Sequence, residues 1–406
     1  MTTVQRVRLL LPVYLPTFLL AFSQGILIPT LPLYAQQFTP SFGLVSLVVS
    51  AAGLGTLLTD VPAGLLLERL GRRRMMLLGT GALALANLGL ALAHLYPELV
   101  VYRLIAGAGT ACWNLSRLAY LTDVVPPAQR GRALSTFGGV NRIGTFTGPA
   151  IGGAVGYALG LPAAILLTAT LSTGALVLAF VAVPESGLQT RLHHRLRWRV
   201  LGDLFRHHWP ELLAAGTAQL WAQMIRAGRQ IIVPLYGASV LGLDVAAIGS
   251  IVSLSAAIDM SLFLPAGVIM DRLGRKFASV PSFAVLSLGM LLVPLAHDYW
   301  GLLLATAVMG LGNGLGSGTM MTLGADLAPK EATGEFLGLW RLLGDAGSAG
   351  GPLVVGMIAD LVGLTLSALA LAGIGALAAV TLLAFVRETR AEAPAGPPTR
   401  APAREP

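Results

Sequence analysis

The feature that most constrains this chain is an internal repeat. Gly64 to Arg74, read as GLLLERLGRRR, returns at Gly267 to Lys276 as GVIMDRLGRK, 203 residues later. The offset extends well beyond that stretch: Pro62 falls on Pro265, Gly107 on Gly310, Gly109 on Gly312, Asp123 on Asp326, Gly144 on Gly347, and Gly148-Pro149 on Gly351-Pro352. The 406-residue chain is therefore two copies of one 203-residue unit, and the two halves must find the same fold.

Composition decides the solvent of that fold. Only 11% of the residues are charged and the mean hydropathy is +0.75, whereas charged residues make up about a quarter of a soluble domain. Twelve apolar runs, each long enough to cross a roughly 30 Å hydrocarbon core as a helix, follow one another between short polar breaks. Their approximate ranges are 10–36, 44–67, 75–94, 98–121, 133–158, 161–183, 210–237, 246–270, 277–296, 299–323, 334–359 and 363–386. The expected fold is an all-α membrane protein of twelve transmembrane helices in two pseudo-symmetric six-helix bundles. Residues 1–183 form the first bundle, 184–209 an amphipathic linker on the inner leaflet, 210–386 the second bundle and 387–406 a disordered tail.

Charge fixes orientation. Of 27 Lys and Arg, 21 fall in the termini and alternate connections, none falls in the remaining connections, and six lie inside runs. This asymmetry is the positive-inside pattern and places both termini in the cytoplasm. The net charge of +8 is thus a topological signal and not a nucleic-acid signal. The single cysteine, Cys112, excludes an intrachain disulfide, and no metal-ligand spacing occurs.

Polar residues inside the runs are the candidate site, because an intramembrane charge costs about 2.5–3.5 kcal/mol and faces a cavity or a partner. Run 1 carries Gln24; a neighbouring helix satisfying a lone glutamine is the plainer alternative. Run 4 sets Arg103, Thr110, Asn114 and Arg117 on one stripe, with Trp113 beside it. Run 7 sets Gln219, Gln223, Arg226 and Gln230 on one face, with Arg229 off it, and run 10 carries Asn313. The repeated loop joins a glycine-led turn to an acid and several cations: Gly64, Glu68, Arg69, Gly71, Arg72 and Arg73, and in the copy Gly267, Asp271, Arg272, Gly274, Arg275 and Lys276. Such a cluster can form a charge network, though setting topology would by itself explain the cations. Run 5 carries Gly144, Gly148, Pro149, Gly152 and Gly153, a groove for close helix approach.

These stretches resemble motifs of the major facilitator superfamily. The repeated loop resembles its loop motif, Arg103 with Gly107 and Gly109 its fourth-span motif, and the run-5 glycines the fifth-span motif of its twelve-span drug:proton antiporters. Glu68 stands where the family usually has aspartate, and run 1 lacks the acid found in several cation-exporting pumps. The resemblance implies two six-helix bundles rocking about a central cavity, with runs 2 and 11, and runs 5 and 8, facing each other across the divide.

Depth along the runs then suggests partners. Asp60 and Arg341 lie equally far in from the cytoplasmic side, as do Arg142 and Asp259, so each couple is expected to form an ion pair that latches the halves. Arg341 with Asp345 is the local rival. Asp60, Asp259 and Asp345 are the acids deep enough to carry a coupled proton. The expectation is a monomeric, non-enzymatic, multi-pass protein of the bacterial inner membrane that exports small organic molecules or drugs against protons. It needs no cofactor beyond the proton gradient, no metal and no nucleic acid. A proton symporter importing an organic nutrient or anion is the alternative within transport, and a non-transporting sensor the alternative outside it. The six intramembrane arginines exceed the three acids, which leaves room for an anionic substrate.

Overall fold

The computed structural model of the chain describes residues 9–184, 198–329 and 332–389, excluding the side chains of 198–212. Its helices are numbered as the runs that form them. They are α1 (Leu10–Gln36), α2 (Phe42–Leu70), α3 (Arg72–Ala91), α4 (Tyr96–Val124), α5 (Pro127–Leu159) and α6 (Leu161–Ala182). The second set is α7 (Trp198–Ser239), α8 (Val245–Ser261 and Phe263–Leu273), α9 (Arg275–Leu295), α10 (Tyr299–Leu315 and Thr319–Leu327), α11 (Thr333–Val362) and α12 (Leu364–Phe385).

Seven of these helices are long and apolar enough to cross a membrane by themselves, or eight if the two pieces of α8, bent by 40°, count as one span. The shortfall from twelve has local causes. Helices α4 and α5 carry charges along their length, α7 opens with a charged segment, and α10 is interrupted at Gly316–Gly318, where Gly318 takes φ +78°. The stretch read as a linker lies partly outside the described residues. From Trp198 onward it is helical and continuous with run 7. Most of the tail also lies outside the described residues. Its start departs from the expected disorder, because Glu388 accepts hydrogen bonds from the backbone N–H groups of Arg275 and Lys276 at 2.8 and 2.9 Å.

The repeat is built into the backbone. Gly71 and Gly274, 203 residues apart, take φ +80° and +117° at the turns into α3 and α9, a region that a Cβ disfavours. Ser41 and Asp244, also 203 apart, cap α2 and α8, accepting from Leu44 N at 3.1 Å and Ala247 N at 2.7 Å. Packing repeats in the same way. A Cβ on Gly107 would collide with the Ala52 carbonyl, and one on Gly310 would meet the Ser255 carbonyl, so α4 seats on α2 as α10 seats on α8. Gly144 and Gly148 press α5 onto α1 as Gly347 and Gly351 press α11 onto α7.

The two halves meet along α2 with α11 and α5 with α8. At the face away from the basic loops this seam is tight. Asp360 of α11 accepts from Ser41 Oγ, Phe42 N and Gly43 N at 2.5, 2.7 and 3.0 Å, tying its end to the start of α2. Gln36 donates to Ser239 Oγ at 3.2 Å, and these residues are 203 apart. A residue that meets its own repeat copy lies beside the pseudo-two-fold axis.

Toward the basic face the seam opens. Gly53 and Gly64 are three turns apart and within about 20° on one face of α2. A Cβ on Gly53 would lie 3.2 Å from Ala349 of α11, whereas one on Gly64 meets only Leu115 of its own bundle. A Cβ on Gly338 of α11, Gly267 of α8, or Gly138 or Gly139 of α5 would meet no neighbouring element within 4 Å among the described residues. The halves therefore converge at one face and fork at the other.

Candidate functional site

Where the seam begins to fork, charged side chains bridge it. Arg341 Nε of α11 lies 3.3 Å from Asp60 Oδ2 of α2 and 3.5 Å from Asp345 Oδ2 one turn along its own helix. Both the cross-half pair and its local rival are thus present, on one guanidinium. On the other side, Arg142 Nη1 of α5 lies 3.3 Å from Asp259 Oδ1 of α8. This second pair is the better supported. Arg142 also donates to Ser317 Oγ and lies over the Phe263 ring at 4.6 Å, while Asn313 donates to Asp259 Oδ2 at 2.7 Å.

Between these pairs and the tight face lies a chamber of about 320 Å³. Gln24, Asn87, Arg103 and Thr110 reach it from the first bundle, and Gln223, Arg226 and Gln230 from the second. A second chamber of about 220 Å³ shares Ile28 and Gln230 with the first and is lined by Arg229, Asn313 and Asp259. The Arg142–Asp259 pair therefore borders the second chamber. Asp60 lies one helical turn past Thr56, a lining residue of the first, on the way to the fork.

Several residues expected at the cavity sit elsewhere. Trp113 is 3% exposed and packs under Gly79, because the glycine lets α3 come against α4 at that level. Asn114 lines neither chamber; the run-4 stripe turns away below Thr110, toward Arg117, which stacks on Phe137 at 3.9 Å. Gln219 is buried against Gly344 of α11, which has no side chain to hold it off. Conversely Arg229, read as off the polar face, lines the second chamber, since that chamber opens on the neighbouring face of α7.

The repeated loop also has partners that the motif alone does not name. Arg72 Nε lies 2.7 Å from Asp123 Oδ2, and Arg275 Nε lies 2.8 Å from Asp326 Oδ2, equivalent pairs that tie α3 to α4 and α9 to α10. The acids of the motif contribute less than expected. Asp271 lies 3.7 Å from Arg275 and is 73% exposed, and Glu68 is exposed at the end of α2. The 203-residue spacing of Asp123 and Asp326 was the signal for these partners.

Two bundles related by a two-fold, with polar chambers on the seam and ion pairs across it, are the architecture of a membrane transporter that works by opening one face at a time. The sequence profile of the Major Facilitator Superfamily matches residues 13–349 and 222–405, and the chain belongs to that family. A crystal structure of a bacterial homologue of the human lysosomal transporter Spinster, inward-facing and occupied, superimposes with TM-score 0.80 over 97% of this chain and 100% of that one, at 14% identity. The chromaffin granule amine transporter of Homo sapiens is 26% identical over 332 residues, which are 79% of this chain and 61% of that protein. The tetracenomycin C resistance and export protein of Streptomyces glaucescens is 25% identical over 177 residues, 44% of this chain and 33% of its own length. The protein is a multi-pass membrane protein of a non-enzymatic transporter family.

Proposed function

We propose that this protein exports small organic molecules across a bacterial inner membrane in exchange for protons. The observation that carries the reading is the placement of ionisable pairs across the seam, between the chambers and the fork at the basic face. By the positive-inside pattern the basic face is cytoplasmic, and the fork is then the start of an inward-facing opening. Opening it further requires the halves to part, and each cross-half pair opposes that motion by the Coulomb attraction it loses. Protonating Asp60 or Asp259 removes the attraction, which couples a proton to the balance between the two states.

Asp60 is the foremost proton carrier. It shares the Arg341 guanidinium with Asp345, so two negative charges face one positive charge and a proton neutralises the surplus. Asp259 meets its arginine one to one and is also held by Asn313. Export as the direction draws on the fifth-span glycines and on the name of the Streptomyces relative.

The test is flux in proteoliposomes with an imposed pH gradient, using a panel of labelled organic solutes. Uptake into inside-out vesicles driven by acid interior pH is expected for the wild type. Its dependence on the gradient is expected to vanish in Asp60→Asn. Full coupling retained in Asp60→Asn, Asp259→Asn and Asp345→Asn alike would remove protons from the mechanism.

A further inference from the structure

The central chamber contains charge of only one sign. Arg103 of α4 and Arg226 of α7 line it from opposite bundles, and among the described residues no carboxylate does. Arg103 makes no ion pair or hydrogen bond among the described residues, and its Nε is closed off from solvent without a partner. Arg226 donates Nη2 to the Gly316 carbonyl at 3.0 Å and lies over Phe283 at 5.0 Å, yet its Nε is also unmatched. Arg229, facing the adjoining chamber, leaves Nη1 unmatched in the same way.

Such groups are costly to keep. A guanidinium within the membrane is unfavourable unless it faces a cavity or a partner, and a buried N–H without an acceptor adds its own desolvation cost. The protein offsets the cost elsewhere: Arg341 and Arg142 have carboxylates, and Arg117 has the Phe137 ring. Among the described residues Arg103 has neither carboxylate nor ring, and Arg226 has the Phe283 ring but no ion pair; they are the two arginines at the main chamber. Gln24, Gln223 and Gln230 add amide donors around the same space, and Leu27, Ile28 and Leu31 of α1 give it an apolar wall.

We propose that the transported solute is an organic anion, an apolar body bearing a carboxylate or sulfonate. Its anionic group is taken by Arg103, whose donors are all unspent, and its field is completed from the opposite bundle by Arg226. A solute held by guanidiniums of both bundles draws them together, so binding itself favours the closed chamber. A cation of the same size would meet two positive charges and no counter-charge. The proposal rests on the reading of the chamber as the transport site.

The test is equilibrium binding to the purified full-length protein at neutral pH without any gradient, using three probes of one shape: 2-naphthoate, 2-naphthamide and 2-naphthylmethylammonium. Naphthoate is expected to bind saturably, and the ammonium at least ~10-fold more weakly, which corresponds to about 1.4 kcal/mol. Arg103→Gln and Arg226→Gln should each weaken naphthoate ~10-fold, more than they weaken naphthamide, and Arg103→Lys should keep part of the preference for the anion. A cooperative thermal unfolding transition like that of the wild type shows that the variants are folded. The proposal is overturned if the ammonium binds as tightly as naphthoate, if both Gln variants bind naphthoate like the wild type, or if naphthoate shows no saturable binding. Because no gradient enters, a protein that binds the anion but moves it independently of pH refutes proton coupling alone, and a coupled protein that takes the ammonium refutes the anion alone.

Discussion

The junctions α2 with α11 and α5 with α8 are exchanged by the repeat, and they differ in chemistry far more than in packing. Asp60 corresponds to Phe263, Arg142 to Asp345, Asp259 to Thr56 and Arg341 to Gly138, each at the offset of 203. The first junction thus has two acids on one exposed arginine. The second has one acid and one arginine, with Ser317, Asn313 and the Phe263 ring around them. Duplication kept the glycine contacts that set helix spacing and let the ionisable residues diverge. We read the α5–α8 junction as the firmer latch and the α2–α11 junction as the one that exchanges a proton.

The sharpest way to break this comparison is to delete the arginine on each side. Arg142→Ala leaves Asp259, 14% exposed, without its guanidinium, and should cost about 3–5 kcal/mol of thermal stability. Arg142→Ala with Asp259→Ala should recover most of that loss, because the orphaned charge goes too. Arg341 is 45% exposed, so Arg341→Ala should cost about 1 kcal/mol or less. Equal losses at the two positions, measured by thermal unfolding in one detergent, would erase the distinction.

A second comparison sets the tight face against the fork. A Cβ on Gly249 would collide with the Pro149 carbonyl, and one on Gly153 would lie 2.5 Å from the Val245 carbonyl, whereas Gly139 has open space around it. Backbone cannot yield as a side chain tip can. Gly249→Ala should therefore cost about 1–3 kcal/mol, while Gly139→Ala should be neutral or stabilise by about 0.5 kcal/mol. A probe of the distance between residues 43 and 360 should show the seam of Gly249→Ala widened at the tight face. An unwidened seam there would mean that α5 and α8 do not set the closure.

Much of this was legible in the sequence because the repeat constrains it twice. The turns at Gly71 and Gly274 and the approaches at Gly107 and Gly310 follow the 203-residue offset, so each copy supports the other. The cross-half partners came from two sources: the family resemblance implied which helices face each other, and depth along the runs chose the residues at one level. The cavity wall was less legible. A helical stripe names a face but not the neighbour that covers it, and so Trp113 and Gln219 went under Gly79 and Gly344 while Arg229 reached a chamber. Helix breaks were hidden as well: Gly318 turns α10 by its own φ, in a run where apolar composition suggested continuity.

The smallest change in stability belongs to the most informative variant. Asp60→Asn takes one of two acids from Arg341 and leaves Asp345 at 3.5 Å, so the arginine keeps a counter-charge and the fold should lose no more than about 1 kcal/mol. Its effect on transport should be of another order, since the surplus negative charge that calls for a proton is gone. Flux should persist and lose its response to the imposed pH gradient. Asp259→Asn should behave in the opposite sense, with a larger loss of stability, because Arg142 loses the carboxylate it pairs with, and a pH response that survives in whatever flux remains. Exchanged outcomes, with Asp259→Asn uncoupled and Asp60→Asn coupled, would move the proton to the junction that the geometry makes the latch.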